Sequence, residues 1–424
     1  MQAWKRSVMW AAMAAAGAFV APADLGAQGT TFTSIERGKY LVQAGDCAAC
    51  HTNPGGKPFA GGLPIATPFG TIYSTNITPD RQTGIGKYSV DDLYQAMHRG
   101  VRRDGEYLYP AFPYPWFTKI TRDDVRAIKA YLDTIEPVQQ ADRKPELPWP
   151  LSMRVVMKGW NTLYFHEGEY RPDTGKSAEW NRGAYLVEGF GHCGACHTDK
   201  SVLGGPKRGE RLQGGDFGEH WYAPSLAGGL REGLGNWSEQ EIVQYLKTGA
   251  NAHSTAGGPM GDVIRHSTQY LRDDDLKAIA VYLKDLPAPE GARGSDEAKA
   301  NAAQAYARGK AVYVDNCTGC HMEDGKGLAD IFPALAGSSA VQSQNADTLL
   351  HIVLAGAAAV KTPEKPTGFR MPAFDWKLGD DDVAAVVNYI RHDWGNRAPD
   401  VDSREVAKVR DEVLKAGGAS SSGG

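Results

Sequence analysis

Gly45-Asp46-Cys47-Ala48-Ala49-Cys50-His51-Thr52 is the stretch that decides the fold, because it contains a Cys-x-x-Cys-His motif. The motif occurs twice more, at Cys193–His197 and at Cys317–His321. The three copies use all six cysteines of the 424-residue chain. In such a motif the two thiols add to the two vinyl groups of one heme, and the histidine that follows is placed to bind the iron. The sequence therefore predicts three covalently bound hemes of the c type.

Two other uses of paired cysteines fit less well. A zinc site needs a second pair of ligands for each metal ion, and each motif offers only one Cys-x-x-Cys pair. A thioredoxin-like redox pair does not require a histidine directly after the second cysteine, whereas the histidine is present here three times. Heme attachment is the interpretation that accounts for every cysteine. The six predicted attachment residues are Cys47, Cys50, Cys193, Cys196, Cys317 and Cys320.

The sequence around each motif also repeats. Arg37-Gly38-Lys39-Tyr40-Leu41-Val42 precedes the first motif, Arg182-Gly183-Ala184-Tyr185-Leu186-Val187 the second, and a looser copy at 308–313 the third. Each of these reads as an amphipathic helix that leads to the motif. Two further helical patterns follow each motif, among them capping boxes at Ser89-x-x-Asp92 and Ser238-x-x-Glu241. The repeat predicts three small helical domains, each with one motif near its start.

Proline-rich segments at 137–150 and 287–295 separate the repeats, and a Gly/Ser-rich stretch ends the chain. The predicted division is a signal peptide at 1–27, domains at 28–145, 146–290 and 291–400, and a C-terminal tail at 401–424. The signal peptide prediction rests on Lys5 and Arg6 followed by the apolar run Val8–Val20. That run is shorter than the roughly 20 residues needed to span a membrane.

His51, His197 and His321 are the predicted iron ligands on one face of each heme. A methionine on the opposite face raises the reduction potential, which suits electron transfer. Met371, just before the last helical pattern, is the candidate in the third repeat. Met260 is the candidate in the second, where His253 and His266 are expected to lie at the surface or next to the iron ligands without binding the iron.

The first repeat leaves its sixth ligand open. When the repeats are aligned on Gly100, Gly249 and Gly356, which end the first helical pattern after each motif, the position of Met260 falls at Phe112, and phenylalanine cannot bind iron. Met97 is predicted as the ligand, although the same alignment also fits a core residue beside the heme. The alternatives are His98 and a five-coordinate iron.

A loop after each motif repeats as well: Pro224-Ser225-Leu226-Ala227-Gly228 matches Pro333-Ala334-Leu335-Ala336-Gly337, and 74–78 is a divergent first copy. A backbone carbonyl in this loop can accept a hydrogen bond from the motif histidine and fix its orientation. A simple packing turn is the alternative.

Composition excludes one class of partner. The chain has a formal net charge of −4 and 42% hydrophobic residues. A nucleic-acid-binding protein needs a basic surface, so no nucleic-acid partner is expected.

The chain resembles the triheme cytochrome c subunits of membrane-associated bacterial dehydrogenases that oxidise alcohols, aldehydes, sugars or sugar acids. The resemblance covers roughly residues 33–410 and rests on 45–52, on Thr67-Pro68-Phe69-Gly70-Thr71 with the residues that follow to Asp80, on 177–183 and on 191–198. It implies a mainly α fold of three tandem cytochrome c-type helical domains, each wrapped around one heme. Many members of that family have a methionine at the position of Phe112. Others pair the phenylalanine with a methionine at the position of Met97.

The resemblance also implies a role and partners. The expected protein is an electron-transfer subunit and not an enzyme on its own. Its expected partners are a catalytic subunit with pyrroloquinoline quinone, flavin or molybdenum, a small accessory subunit, and ubiquinone or another downstream electron acceptor at the periplasmic face of the membrane. A heme enzyme of the peroxidase or thiosulfate-oxidising type, with an open first heme, is the alternative. A free periplasmic shuttle is disfavoured, because three hemes in one 45.7 kDa chain suit a fixed relay better than a diffusing carrier.

Overall fold

The computed structural model describes residues 26–288 and 303–421, with side chains over 32–288 and 304–415. The predicted signal peptide lies outside these residues except for its last two positions, and the predicted boundary at 290 falls in the gap. The described chain is mainly helical, as predicted, and its elements repeat in three groups. We call them the first unit (26–132), the second unit (178–284) and the third unit (303–421).

The first unit contains five helices and a two-stranded antiparallel sheet. Its elements are α1 (Gly26–Ala44), α2 (Cys47–His51), β1 (Pro64–Thr67), β2 (Gly70–Tyr73), α3 (Val90–Arg99), α4 (Tyr114–Phe117) and α5 (Arg122–Leu132). The predicted capping box at the start of α3 is confirmed, since Ser89 and Asp92 each accept a hydrogen bond from the other's backbone N–H. A further helix, α6 (Val156–Tyr164), lies between the first and second units.

The second unit repeats this order. Its elements are α7 (Ala178–Tyr185), a π-helical turn (Leu186–Phe190), short 3-10 turns, β3 (Gly215–Gly218), β4 (Trp221–Ala223), α8 (Glu239–Thr248), α9 (Gly258–His266) and α10 (Asp273–Lys284). The predicted capping box of Ser238 and Glu241 is confirmed at the start of α8. The sequence patterns predicted no strands in the segments that form the small sheets of both units.

The third unit keeps the same plan and adds a final helix. Its elements are α11 (Ala303–Asn316), α12 (Thr318–His321), α13 (Ser339–Gln342), α14 (Asp347–Ala355), β5 (Ala357–Ala358), β6 (Arg370–Met371), α15 (Asp380–His392) and α16 (Ser403–Ser421). The sequence predicted a tail from residue 401, whereas the structure has the helix α16 over most of that segment. Val406, Val409 and Val413 lie on one face of α16 and are buried against the third unit, because their spacing of three and four residues forms an apolar stripe.

One helix crossing organises each unit. The helix before the motif packs against a later helix: α1 against α5, α7 against α10, and α11 against α15. A glycine makes each close approach possible. A Cβ added at Gly38, Gly183 or Gly309 would lie 1.9, 1.9 or 2.2 Å from a backbone carbonyl oxygen of the opposite helix. Any larger residue at these positions would therefore force the two helices apart.

The described residues form two main hydrophobic cores. One core combines the first two units and includes Leu41 and Ile128 together with Leu186 and Leu276. The other belongs to the third unit and is centred on residues such as Leu350 and Val387. The first two units are thus packed as one body, whereas the third has a core of its own. Within the described part of the chain, none of the helices combines the length and apolar character needed to cross a bilayer.

Candidate heme-binding sites

Each motif forms a single tight turn that brings its two cysteines and its histidine together. The first motif is the short helix α2. In the other two motifs the histidine N–H donates to the carbonyl of the first cysteine, at 2.9 Å in both His197 and His321. This i to i+4 hydrogen bond places the side chains of one helical turn side by side. The spacing predicted from the sequence is therefore realised three times.

The cysteines form no disulfides within the described part of the chain, and burial disfavours the thiolate form of several of them. All six are free. Burial raises the pKa of Cys47 and Cys193 to about 12, and that of Cys317 to about 11. A thioredoxin-like pair works through a thiol whose pKa is lowered. Burial instead raises the pKa of Cys47, Cys193 and Cys317, which is the opposite of what a thioredoxin-like pair needs.

The motif histidines are oriented by the repeated loop, and the prediction that a loop carbonyl accepts their hydrogen bond is confirmed three times. The distance from Nδ1 to the carbonyl oxygen is 2.6 Å for His51 and Thr75, 2.6 Å for His197 and Pro224, and 3.0 Å for His321 and Pro333. A carbonyl oxygen carries no proton, so Nδ1 must donate. Nε2 then keeps its lone pair, and this is the nitrogen that can bind iron. Burial also lowers the pKa of all three histidines, which favours the neutral ring.

In the first unit, the loop at 74–78 that orients His51 is hydrogen-bonded to residues that follow α5. The Asn76 amide donates to the Val138 carbonyl at 2.7 Å, and its backbone N–H donates to Asp142 at 2.9 Å. Gly61, at φ +74°, lies so close to the loop that a Cβ there would be 2.5 Å from the Thr75 oxygen. The carbonyl that orients His51 is therefore clamped on both sides.

The three motifs open into one connected, largely apolar cavity of about 2410 Å³. Pockets for a single drug-sized ligand measure about 300–1,000 Å³, so this space can hold several large groups. Residues of all three motifs line it, namely Cys50, Cys193, Cys196, His197, Cys317, Cys320 and His321. The lining contains at least one cysteine of every motif and the histidines of the second and third motifs, but not His51, and its size and apolar character fit several heme groups.

Two of the predicted methionine ligands line the same cavity. Met260 lies at the start of α9 and packs against Ile264 and Val360. Met371 lies in the short strand β6 and packs against the core of the third unit. The Nε2 of His253 donates to a carboxylate oxygen of Glu241 at 3.0 Å, and the ring stacks on Trp237, so it is already engaged. His266 also lines the cavity, near the end of α9.

The first unit differs, as its sequence indicated. Met97 is buried on the inner face of α3, in the core with which Cys47 and Phe112 also pack. His98 stacks on Tyr94, and its Nε2 lies 3.4 Å from a carboxylate oxygen of Glu167. The Nε2 side of the His98 ring is thus directed to the segment after α6.

Sequence reasoning missed an aromatic contact between the first two sites. Phe112 meets Phe117 edge-on, with ring centroids 5.4 Å apart, and Phe117 meets His192 in the same way at 5.4 Å. His192 directly precedes Cys193. Trp116 lies so close to the second motif that a Cβ on Gly194 would be 2.6 Å from its indole nitrogen. The sequence signal for this contact was the run of aromatic residues after Tyr109. That run contains more large side chains than the core of one small domain requires.

Comparison with known proteins gives consistent results. A family model described as cytochrome c matches residues 35–136 and 306–394, which contain the first and third motifs. The gluconate 2-dehydrogenase cytochrome c subunit of Pantoea cypripedii is 44% identical over 400 residues, covering 90% of this chain and 91% of that protein. The cytochrome c subunit of the quinone-type alcohol dehydrogenase of Gluconacetobacter polyoxogenes is 41% identical, covering 89% and 84%. The fructose dehydrogenase cytochrome subunit of Gluconobacter japonicus is 38% identical, covering 89% and 82%.

Proposed function

Because this chain belongs to the family of cytochrome c subunits of bacterial dehydrogenases, we propose that it relays electrons across three hemes from a catalytic subunit to ubiquinone. It is an electron-transfer component and not the catalytic subunit. Its heme c is bound covalently. In this proposal, the catalytic subunit oxidises an alcohol, aldehyde or sugar and carries pyrroloquinoline quinone, flavin or molybdenum.

The observation that carries the proposal is the single cavity shared by the three motifs. Heme groups attached along one apolar space lie close to one another, so an electron can pass between them without leaving the protein. The protein's contribution is then to hold the hemes, set their potentials and dock the partners, while the redox chemistry belongs to the cofactor.

We assign the two cysteines of each motif as the residues that form thioether bonds to the heme. His51, His197 and His321 are assigned as iron ligands. Met260 and Met371 are the sixth ligands of the second and third irons, and Met97 is the sixth ligand of the first. The proposed domains are 28–145, 146–290 and 291–400, and α16 extends the third. The residues before 28 act as a signal peptide, which places the protein in the periplasm on the outer face of the cytoplasmic membrane, together with a small accessory subunit.

The assignment of Met97 leads to a direct prediction. The reduced wild-type protein is expected to bind almost no carbon monoxide, because all three irons are six-coordinate. Met97→Leu removes the sulfur but keeps the volume, so one heme of the three becomes able to bind carbon monoxide. The bound fraction is measured from the Soret absorbance change.

Two matched variants control this experiment. Met153→Leu changes an exposed methionine and is expected to behave like the wild type. His98→Leu is also expected to leave binding low. If His98→Leu opens a heme and Met97→Leu does not, histidine is the ligand. If the wild type already binds at one heme, the first iron is five-coordinate and the alternative heme-enzyme function gains support.

The relay itself is tested by purification from native membranes. We expect a dehydrogenase catalytic subunit to purify together with this chain, and its substrate to reduce all three hemes in the absence of added mediators. Added ubiquinone should then reoxidise them. A chain that purifies alone, and that no dehydrogenase substrate reduces in the membrane, would contradict the proposal.

A further inference from the structure

Tyr40 links the first unit to the second. It lies on α1, in the helix that leads to Cys47. Its hydroxyl donates to Asp275 of α10 at 2.5 Å and accepts from the backbone N–H of Arg272 at 3.3 Å. Arg182 of the second unit holds the same carboxylate with two hydrogen bonds of 2.6 and 2.7 Å. A tyrosine of one unit thus completes an Arg–Asp pair of the other.

Tyr185 makes the reverse connection. It lies on α7, in the helix that leads to Cys193. Its hydroxyl donates to Asp124 of α5 at 2.6 Å and accepts from the backbone N–H of Thr121 at 3.0 Å. Arg37 of the first unit holds Asp124, with its nitrogens at 2.5 and 2.7 Å from one carboxylate oxygen.

The two connections are equivalent position by position. Tyr40 and Tyr185 occupy the same place in the repeated Arg-Gly-x-Tyr sequence, and each docks on the first turn of the other unit's closing helix. We call this pair of contacts the reciprocal tyrosine clasp. A self-complementary contact of this kind is what a two-fold axis produces between identical subunits, here reproduced within one chain. Both aspartates are almost fully buried, with 1% and 2% of their side chains exposed.

The third unit keeps the ion pair but lacks the clasp. Arg308 and Asp382 pair at 2.8 Å, yet Ala311 stands where the other units have tyrosine. The Asp382 side chain is 32% exposed, in contrast to its buried counterparts. The Arg–Asp pair therefore belongs to the fold of a single unit, and the tyrosine belongs to the pairing of two.

Packing around the clasp agrees with this division. The first two units share one hydrophobic core, and the Ser267 hydroxyl donates to the Ala44 carbonyl at 3.2 Å across their boundary. The third unit joins the second by different means. Thr348 bonds to the backbone of Tyr222, and His220 lies 2.7 Å from Glu412 on α16.

We infer that Tyr40 and Tyr185 are positioning residues, which fix the first heme relative to the second and make the first two units one rigid diheme module. The inference rests on the proposed function in one respect, since it needs hemes at the first two motifs. Each tyrosine lies on the helix that ends at a motif, so a rotation of one unit against the other would change the distance and angle between those hemes. Electron transfer between them depends steeply on both. The third heme is held by a separate interface and can be adjusted independently.

The test is the Soret circular dichroism of the holoprotein, because neighbouring hemes give a paired positive and negative band that depends on their distance and mutual angle. The double variant Tyr40→Phe/Tyr185→Phe removes both hydroxyls and little volume. We expect the amplitude of the paired band to fall about twofold, with heme content and the spectrum of each heme unchanged, because hydrogen bonds to buried charges are lost. Each single variant should give a smaller fall.

Tyr306→Phe is the matched control, since Tyr306 donates to Asp393 at 2.8 Å within the third unit. It removes a tyrosine–aspartate hydrogen bond but should leave the paired band as in the wild type. If the double variant keeps the wild-type band, the inference is overturned and the proposed relay still stands. If the wild type itself carries no hemes at the first two motifs, both fail. A fall of equal size in Tyr306→Phe would also overturn it, since the effect would not be specific to the clasp.

Discussion

The Gly183→Ala protein is expected to lose the packing of its second unit. The added Cβ would lie 1.9 Å from the carbonyl oxygen of Ala278 and 2.9 Å from the Cβ of Tyr282. Ordinary overpacking costs roughly 1–3 kcal/mol because side chains can shift. Here the obstacle is the backbone of α10, so we expect a larger loss of the free energy of unfolding. Urea unfolding measures the effect.

The matched control for this substitution is Gly209→Ala. Gly209 is exposed, its φ is not in the left-handed region, and nothing lies within 4 Å of an added Cβ. We expect a change within roughly 0.5 kcal/mol. A Gly183→Ala protein that unfolds at the same urea concentration as the control would show that the helices can separate at no cost, and that the crossing does not organise the unit.

The second large effect is expected when the middle motif loses both cysteines. Cys193→Ser/Cys196→Ser should carry two hemes per chain where the wild type carries three, because His197 alone provides no covalent bond. With the middle heme gone, reduction of the whole chain by the catalytic subunit should stop at the first heme reached. Heme content follows from the absorbance of the pyridine complex, and reduction is followed at the α band during substrate oxidation.

Parallel double variants at the other motifs control this result. Cys47→Ser/Cys50→Ser and Cys317→Ser/Cys320→Ser should also leave two hemes each. In these proteins the two remaining hemes are neighbours and should still exchange electrons. Three hemes in any of the double variants, or undiminished reduction without the middle heme, would contradict the assignment of the motifs or the order of the relay.

The features that could be predicted from the sequence are those carried by local patterns. The Cys-x-x-Cys-His motifs, the capping boxes of α3 and α8, and the loop carbonyls that orient the histidines each depend on a few adjacent residues or on a repeat. The helix before each motif was recognisable from its apolar spacing and its glycine. The methionine positions followed from the repeat in the second and third units, where Met260 and Met371 do line the cavity.

The features that were missed depend on distant partners. The strands β5 and β6 are two residues long and pair across an intervening loop, so no alternation of apolar and polar residues marks them. The C-terminal helix α16 was not predicted, because the Gly/Ser-rich end that follows its valines indicated a tail. Tyr40 and Tyr185 look like ordinary residues on an amphipathic helix, because their partners are 235 and 61 residues away.

That separation affects how the protein is made. Synthesis proceeds from the N-terminus, and the helices of the first unit are complete once residue 132 has emerged. Tyr40 nevertheless cannot form its hydrogen bond to Asp275 until that residue, 235 positions later in the chain, is present. Contacts of such high sequence separation slow folding and leave apolar surface exposed in the meantime. The first unit should therefore become fully protease-resistant only when α10 of the second unit is present, even though it is the first to be synthesised.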